Sequence, residues 1–293
     1  MRQLSTKIAA TLVLLTAPAT WAVPLFTTFE GVGVNAAALT PVRDAFRTAI
    51  GGGSTALSNG SFGRLRREIN WDGVLGTRAD PNPLPGNFFN TTSPRGAVFS
   101  TPGTGFLVSA NSGLATPALF GFANDFQAFS SQRLFTAVNS NITDVSFFLP
   151  GTTTAATTTA FGLIFVDVEI AALTRLEFFD ANNVSIYLRS AMVGGNQGLS
   201  FLGATVSGGE ISRVRITSGS NTLVSNGVLG NPSDDIVVMD DFLYAEPVAA
   251  NGRVPEPSSL ALVGLALAGG LALSRRPRKA ECAPRAKRLD ASA

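Results

Sequence analysis

Between residues 97 and 244 short apolar runs follow one another closely, each cut off by Gly, Pro or Asn, leaving little room for helices. Ala97–Ser100, Thr104–Ala110, Leu134–Val138, Ile142–Leu149 and Phe161–Ile170 read as strands, and so do Leu173–Phe179, Val184–Leu188, Leu199–Val206, Ile211–Thr217 and Ile236–Tyr244. Many short strands rich in aromatic and β-branched residues predict an all-β sandwich. The 21 Phe of the chain would fill a thick apolar layer between its sheets. The expected winding is jelly-roll-like, by analogy with secreted sandwiches of this size. One short helix is expected on the N-terminal side. Thr40 would cap it, Pro41 would take its first position, and Val42, Ala45, Phe46, Ala49 and Ile50 fall at helical spacing before Gly51-Gly52-Gly53-Ser54. Asp80–Asn87, with three prolines, and Thr152–Ala160 (TTTAATTTA) read as surface loops or strand edges. No longer repeat is present, which argues against a solenoid.

Composition narrows the chemistry. The chain has no His, and its single Cys, Cys282, lies near the C-terminus. Ser-His-Asp triads, HExxH zinc sites, thiol nucleophiles and a disulfide frame are thereby excluded from the body. Between Val23 and Pro257 there is no Lys, and thirteen Arg face eighteen Asp and Glu, a net charge of −5. The overall +2 comes from the ends. Nucleic-acid binding needs a basic surface on the folded part, and none is expected here.

Both ends carry membrane-targeting patterns. Arg2 and Lys7 precede an apolar stretch, Ile8–Ala19, and Thr20-Trp21-Ala22 offers small residues for cleavage between Ala22 and Val23. Residues 1–22 therefore read as a signal peptide, and 23–247 as the sandwich body. A linker at 248–257 ends in Pro255-Glu256-Pro257, whose prolines hold the chain extended and out of any helix. An uncharged segment follows at 258–274, built around Leu260–Leu273 and long enough for a short transmembrane helix. Arg275, Arg276, Arg278 and Lys279 then open a basic tail, 275–293, which the positive-inside rule places in the cytoplasm. The body is left on the far side of the membrane.

Pro-Glu-Pro, one apolar helix and an Arg-rich end, in that order, resemble the PEP-CTERM sorting signal of Gram-negative envelope proteins. The resemblance implies that an exosortase recognises Pro255, Glu256 and Pro257 and cleaves nearby, delivering the body across the inner membrane to the cell surface or extracellular matrix. It also implies association with exopolysaccharide and biofilm. The tail after the arginines, with Cys282 and a second cluster at Arg285, Lys287 and Arg288, is longer than is usual in that family.

For the body itself only carboxylates, hydroxyls and arginines are left. Asp167 and Glu169 lie two apart on an expected strand and so share a face. Asp234-Asp235 precede the last strand, Asp240-Asp241 lie inside it, and Asp144 and Asp180 belong to other strands or their ends. Oxygen clusters of this kind suit a structural Ca²⁺, although no calcium-loop motif is present and no metal ligands are assigned. The plainer expectation pairs these carboxylates with Arg175, Arg189, Arg213 and Arg215 or exposes them to water. Glycan binding is a further reading, with Trp71, Tyr187 and Tyr244 as stacking surfaces; Trp71 suits either a loop edge or the core. The leading expectation is a non-enzymatic envelope protein. The alternatives are a carboxylate-based carbohydrate-active enzyme, which needs two facing carboxyls, and a Ca-dependent glycan-binding module.

Overall fold

A computed structural model describes residues 23–52, 65–223, 231 and 233–250. The expected signal peptide, the Pro-Glu-Pro motif, the membrane segment and the basic tail lie outside the described residues. Among the described residues no helix is long and apolar enough to cross a membrane. In chain order the first elements are β1 (Leu25–Gly33), α1 (Ala36–Ile50), β2 (Arg66–Ile69), β3 (Ala97–Ser100), β4 (Gly105–Val108), β5 (Phe135–Val138) and β6 (Ile142–Phe147). They are followed by β7 (Ala156–Thr157), β8 (Ala160–Val166), β9 (Arg175–Phe179), β10 (Ser185–Ser190) and β11 (Leu199–Ser207). The last strands are β12 (Arg213–Thr217), β13 (Val238–Ala245) and β14 (Val248–Ala249).

Two antiparallel sheets result. The first runs β1-β11-β8-β13-β5-β4, with β2 also paired to β13, and the second runs β10-β9-β12-β6-β3. Within them, β11-β8-β13-β5 face β10-β9-β12-β6, and every connection along these eight strands changes sheet except the β9–β10 hairpin. This is the jelly-roll winding that the sequence leads one to expect. A two-stranded ribbon of β14 and β7 adds to it, so residues 248 and 249 of the expected linker are still part of the body.

Burial separates the sheets. In the second, β6 and β12 alternate between buried and half-exposed residues, as expected of a sheet with one face in water. In the first, every residue of β8 and β13 is buried. Its inner face meets the second sheet through Phe161, Leu163, Phe165, Phe242 and Tyr244, which pack with Phe147 and Phe178. Its outer face carries Ile164, Val166, Phe201 and Leu243, covered by Leu39 and Phe46 of α1 and by Phe126 and Phe129.

The helix begins earlier than expected. Asn35 caps it, its Oδ1 accepting from Ala38 N at 3.0 Å, so Thr40 is an interior residue whose hydroxyl donates to Ala36 O at 2.8 Å. Pro41 lies inside the helix and not at its start. Phe46 rests on the sheet where Gly162 of β8 and Gly203 of β11 are cross-strand partners. A Cβ at Gly203 would lie 2.9 Å from the Gly162 Cα and 3.2 Å from the Phe46 ring. The glycines are there to let the ring approach the backbone, a use of Gly within a strand.

The strands β1 and β10 end the two sheets on the same side and are tied together. Thr28 Oγ1 and Tyr187 Oη share a hydrogen bond of 3.0 Å, and Arg189 grips Glu30 with bonds of 2.5 and 2.9 Å. Replacing Gly203 by Val should destabilise the body by about 1–3 kcal/mol through overpacking. Thermal denaturation would register it as a lower melting temperature, and an unchanged melting curve would mean that Phe46 does not seat there.

Candidate functional site

Nine charged side chains of the described residues are buried, several of them in one cluster. Strand β2 reads Arg-Arg-Glu-Ile, and alternation turns Arg66 and Glu68 one way and Arg67 the other. Glu68 receives Arg47 Nη2 at 2.6 Å, Arg47 Nε at 2.8 Å and Arg66 Nε at 2.7 Å. Arg67 is bound by Glu246. Arg47 also reaches Asp44, which takes Arg43 Nε at 2.8 Å.

Asp240 and Asp241 lie next to this cluster on a bulge. Met239 pairs with Phe165 and Phe242 with Leu163, so β13 carries one extra residue there. Both side chains are buried. Asp240 accepts from Phe129 N at 2.6 Å and from Ser130 Oγ at 3.1 Å. Asp241 Oδ2 is 3.8 Å from Arg43 Nη1. Burial, and then the charge of Asp241, push the Asp240 carboxyl well above the usual carboxylate range; burial also raises Asp241. Nearby, Asp72 accepts from Arg133 N at 3.2 Å, and burial pushes its pKa up to about 6. This is a polar layer between helix and sheet. Most of its oxygens are engaged internally, but Asp241 Oδ1 is buried without a hydrogen-bond partner.

Of the other expected carboxylates all but Glu169 are likewise engaged, and the pairing of Asp167 with Glu169 is corrected. Strand β8 stops at Val166, and Asp167 follows in the left-handed region at φ 74°. The alternation assumed for Asp167 and Glu169 therefore breaks, leaving Asp167 buried and Glu169 exposed. Asp167 accepts from Gln197 N at 2.8 Å, and burial pushes its pKa up to about 7. Asp235 is buried and accepts from Glu169 N and Ile170 N, while Asp234 bonds Asn231 Nδ2. Asp144 receives Arg213 and Arg215, and Asp180 closes the β9–β10 turn by accepting from Asn182 N and Val184 N. Arg189 pairs with Glu30, a partner the sequence does not suggest. Among the described residues no three Asp, Glu, His or Cys side chains are grouped so as to hold a metal ion.

The expected aromatic surface does not form. Trp71 is fully buried, stacked on Phe135 with ring centres 4.1 Å apart and edge-on to Phe89 and Phe242. Tyr244 is also fully buried, and its hydroxyl donates to Arg95 O. Tyr187 is half-buried against Phe178 and Phe26.

The recognisable functional element therefore lies at the C-terminus. Residues 253–276 match the PEP-CTERM protein-sorting motif, which spans Pro255, Glu256 and Pro257, the apolar segment and the first arginines. No curated protein matches the chain. The motif marks a protein sorted to the cell envelope by an exosortase.

The buried Asp167 makes a pH prediction. With a folded pKa of about 7 and an ordinary value of 3.8, the folded chain keeps a proton that the unfolded chain loses between those values. Its contribution to stability therefore falls as pH rises through that window. Asn copies the protonated carboxyl and keeps an acceptor for Gln197. Asp167→Asn should match the wild-type melting temperature near pH 4 and exceed it at pH 8. A difference that does not vary with pH would contradict the assignment.

Proposed function

We propose that the chain is a non-enzymatic protein of the Gram-negative cell surface and matrix, held at the membrane by residues 258–274 until sorting, and then associated with the host's exopolysaccharide. The sorting motif carries the reading. The body gives it support of a different kind: the acidic residues that a glycoside hydrolase would set across a cleft are here used as internal acceptors, helix clamps and turn closures. A rigid sandwich with its chemistry turned inward suits a structural or binding role.

Fractionating the host tests this in two ways. The surface-released protein should begin near Val23 and lack Leu260–Ala293, so that mass spectrometry finds no peptide containing Cys282. It should also leave the cells together with the polysaccharide when the polymer is stripped away. Recovery of the Cys282 peptide from released protein would contradict sorting at Pro255-Glu256-Pro257. Polysaccharide incubated with the protein should keep its chain length; shortening of the polymer would favour the carboxylate-based hydrolase instead.

A further inference from the structure

Among the described residues Arg95, like Arg133, is a buried arginine without an ion pair, and of the two it is Arg95 that lines a recess. Only 6 % of its surface is exposed, yet among the described residues it forms no ion pair, whereas Arg47 and Arg66 share Glu68 and Arg67 has Glu246. Its acceptors are uncharged: Glu68 O lies 3.1 Å from Nε, and Ser93 O and Oγ take Nη1. The other cation bearing on it is Arg67, which repels it. A buried cation without a counter-charge is among the costlier features of a protein interior. This one lines a recess of about 360 Å³, within the range of small-ligand sites. Trp71, Phe88 and Phe89 supply apolar walls, and Thr92 and Ser93 supply hydroxyls. Trp71 is held there at φ 65°, in the left-handed region that bulky residues rarely adopt, and its Nε1 has no acceptor.

We propose that this recess binds a uronic-acid residue, the carboxylate lying on Arg95 above the Phe89 ring, the C–H face of the pyranose toward Phe88, and the ring hydroxyls toward Thr92 and Ser93. The ligand supplies the missing negative charge, and guanidinium–carboxylate pairing gives preference for acidic over neutral sugars. The inference rests on the exopolysaccharide reading and refines it, by making the recognised polymer an acidic one.

Trp71 reports directly on the site. The chain has two Trp, so the full chain carrying Trp21→Phe, in mild detergent, leaves Trp71 as the sole indole. Titration with sodium glucuronate should change its emission saturably, while glucose and benzoate should bind at least roughly ten-fold more weakly. Arg95→Met should weaken glucuronate by a similar factor. Arg95 also bonds the backbone, so Thr92→Phe serves as a second variant, filling the recess while leaving those bonds intact, and it should weaken binding as well. The proposal is overturned if glucuronate gives no saturable response, if glucose or benzoate binds as well, or if both variants bind like the wild type. Should glucuronate fail while the protein still sediments with the host polysaccharide, the recess is excluded and the matrix reading stands.

Discussion

Glu68 ties α1 to the first sheet. It is a carboxylate with 5 % of its surface exposed, bound by one arginine from α1 and one from its own strand. The contact joins the helix to the sheet edge on which β2 pairs with β13. Removing one member of such a group would leave its partners buried and unmatched, at a cost of about 3–5 kcal/mol. With α1 fixed there, Phe46 can settle on Gly162 and Gly203, the first sheet is covered on both faces, and the bulge at Asp240-Asp241 meets Ser130, the Phe129 amide and Arg43 in place of bare hydrocarbon.

The same arrangement accounts for the absence, among the described residues, of a carboxylate cluster that could hold a metal ion. A jelly roll usually leaves one face of each sheet free. Here helix and loops cover the first sheet, and Arg213, Arg215 and Asp144 pair with one another on the second. Chemistry at this body is therefore left to recesses between loops, and the address is carried separately by the C-terminal motif. Sorting and folding are thus encoded in different parts of the chain, each readable without the other.

The fold was legible where periodicity was strong. The runs from Ala97 to Tyr244 place the strands of the jelly roll to within a few residues, because apolar runs between Gly and Pro breaks have few other uses. Strands β1 and β2 were not legible. The first mixes Thr, Glu and Gly into its run, and the second carries three charges in four residues that are accommodated only because partners arrive from α1 and Glu246. Trp71 could be read as loop edge or core, and tertiary packing decides for the core. The shared face expected for Asp167 and Glu169 is lost to one backbone angle after Val166, which no side-chain pattern announces. Arg95 carries no motif at all; it stands out only once Arg47 and Arg66 are seen to share Glu68 and Arg95 is seen to border a recess.

The proposed role makes this exported body a ligand of the host's own polymer. Sedimentation of the purified protein with increasing amounts of host exopolysaccharide measures this directly. Saturable co-sedimentation, reduced by added glucuronate and not by glucose, is the predicted result. Protein that stays in the supernatant at every polymer concentration would contradict it.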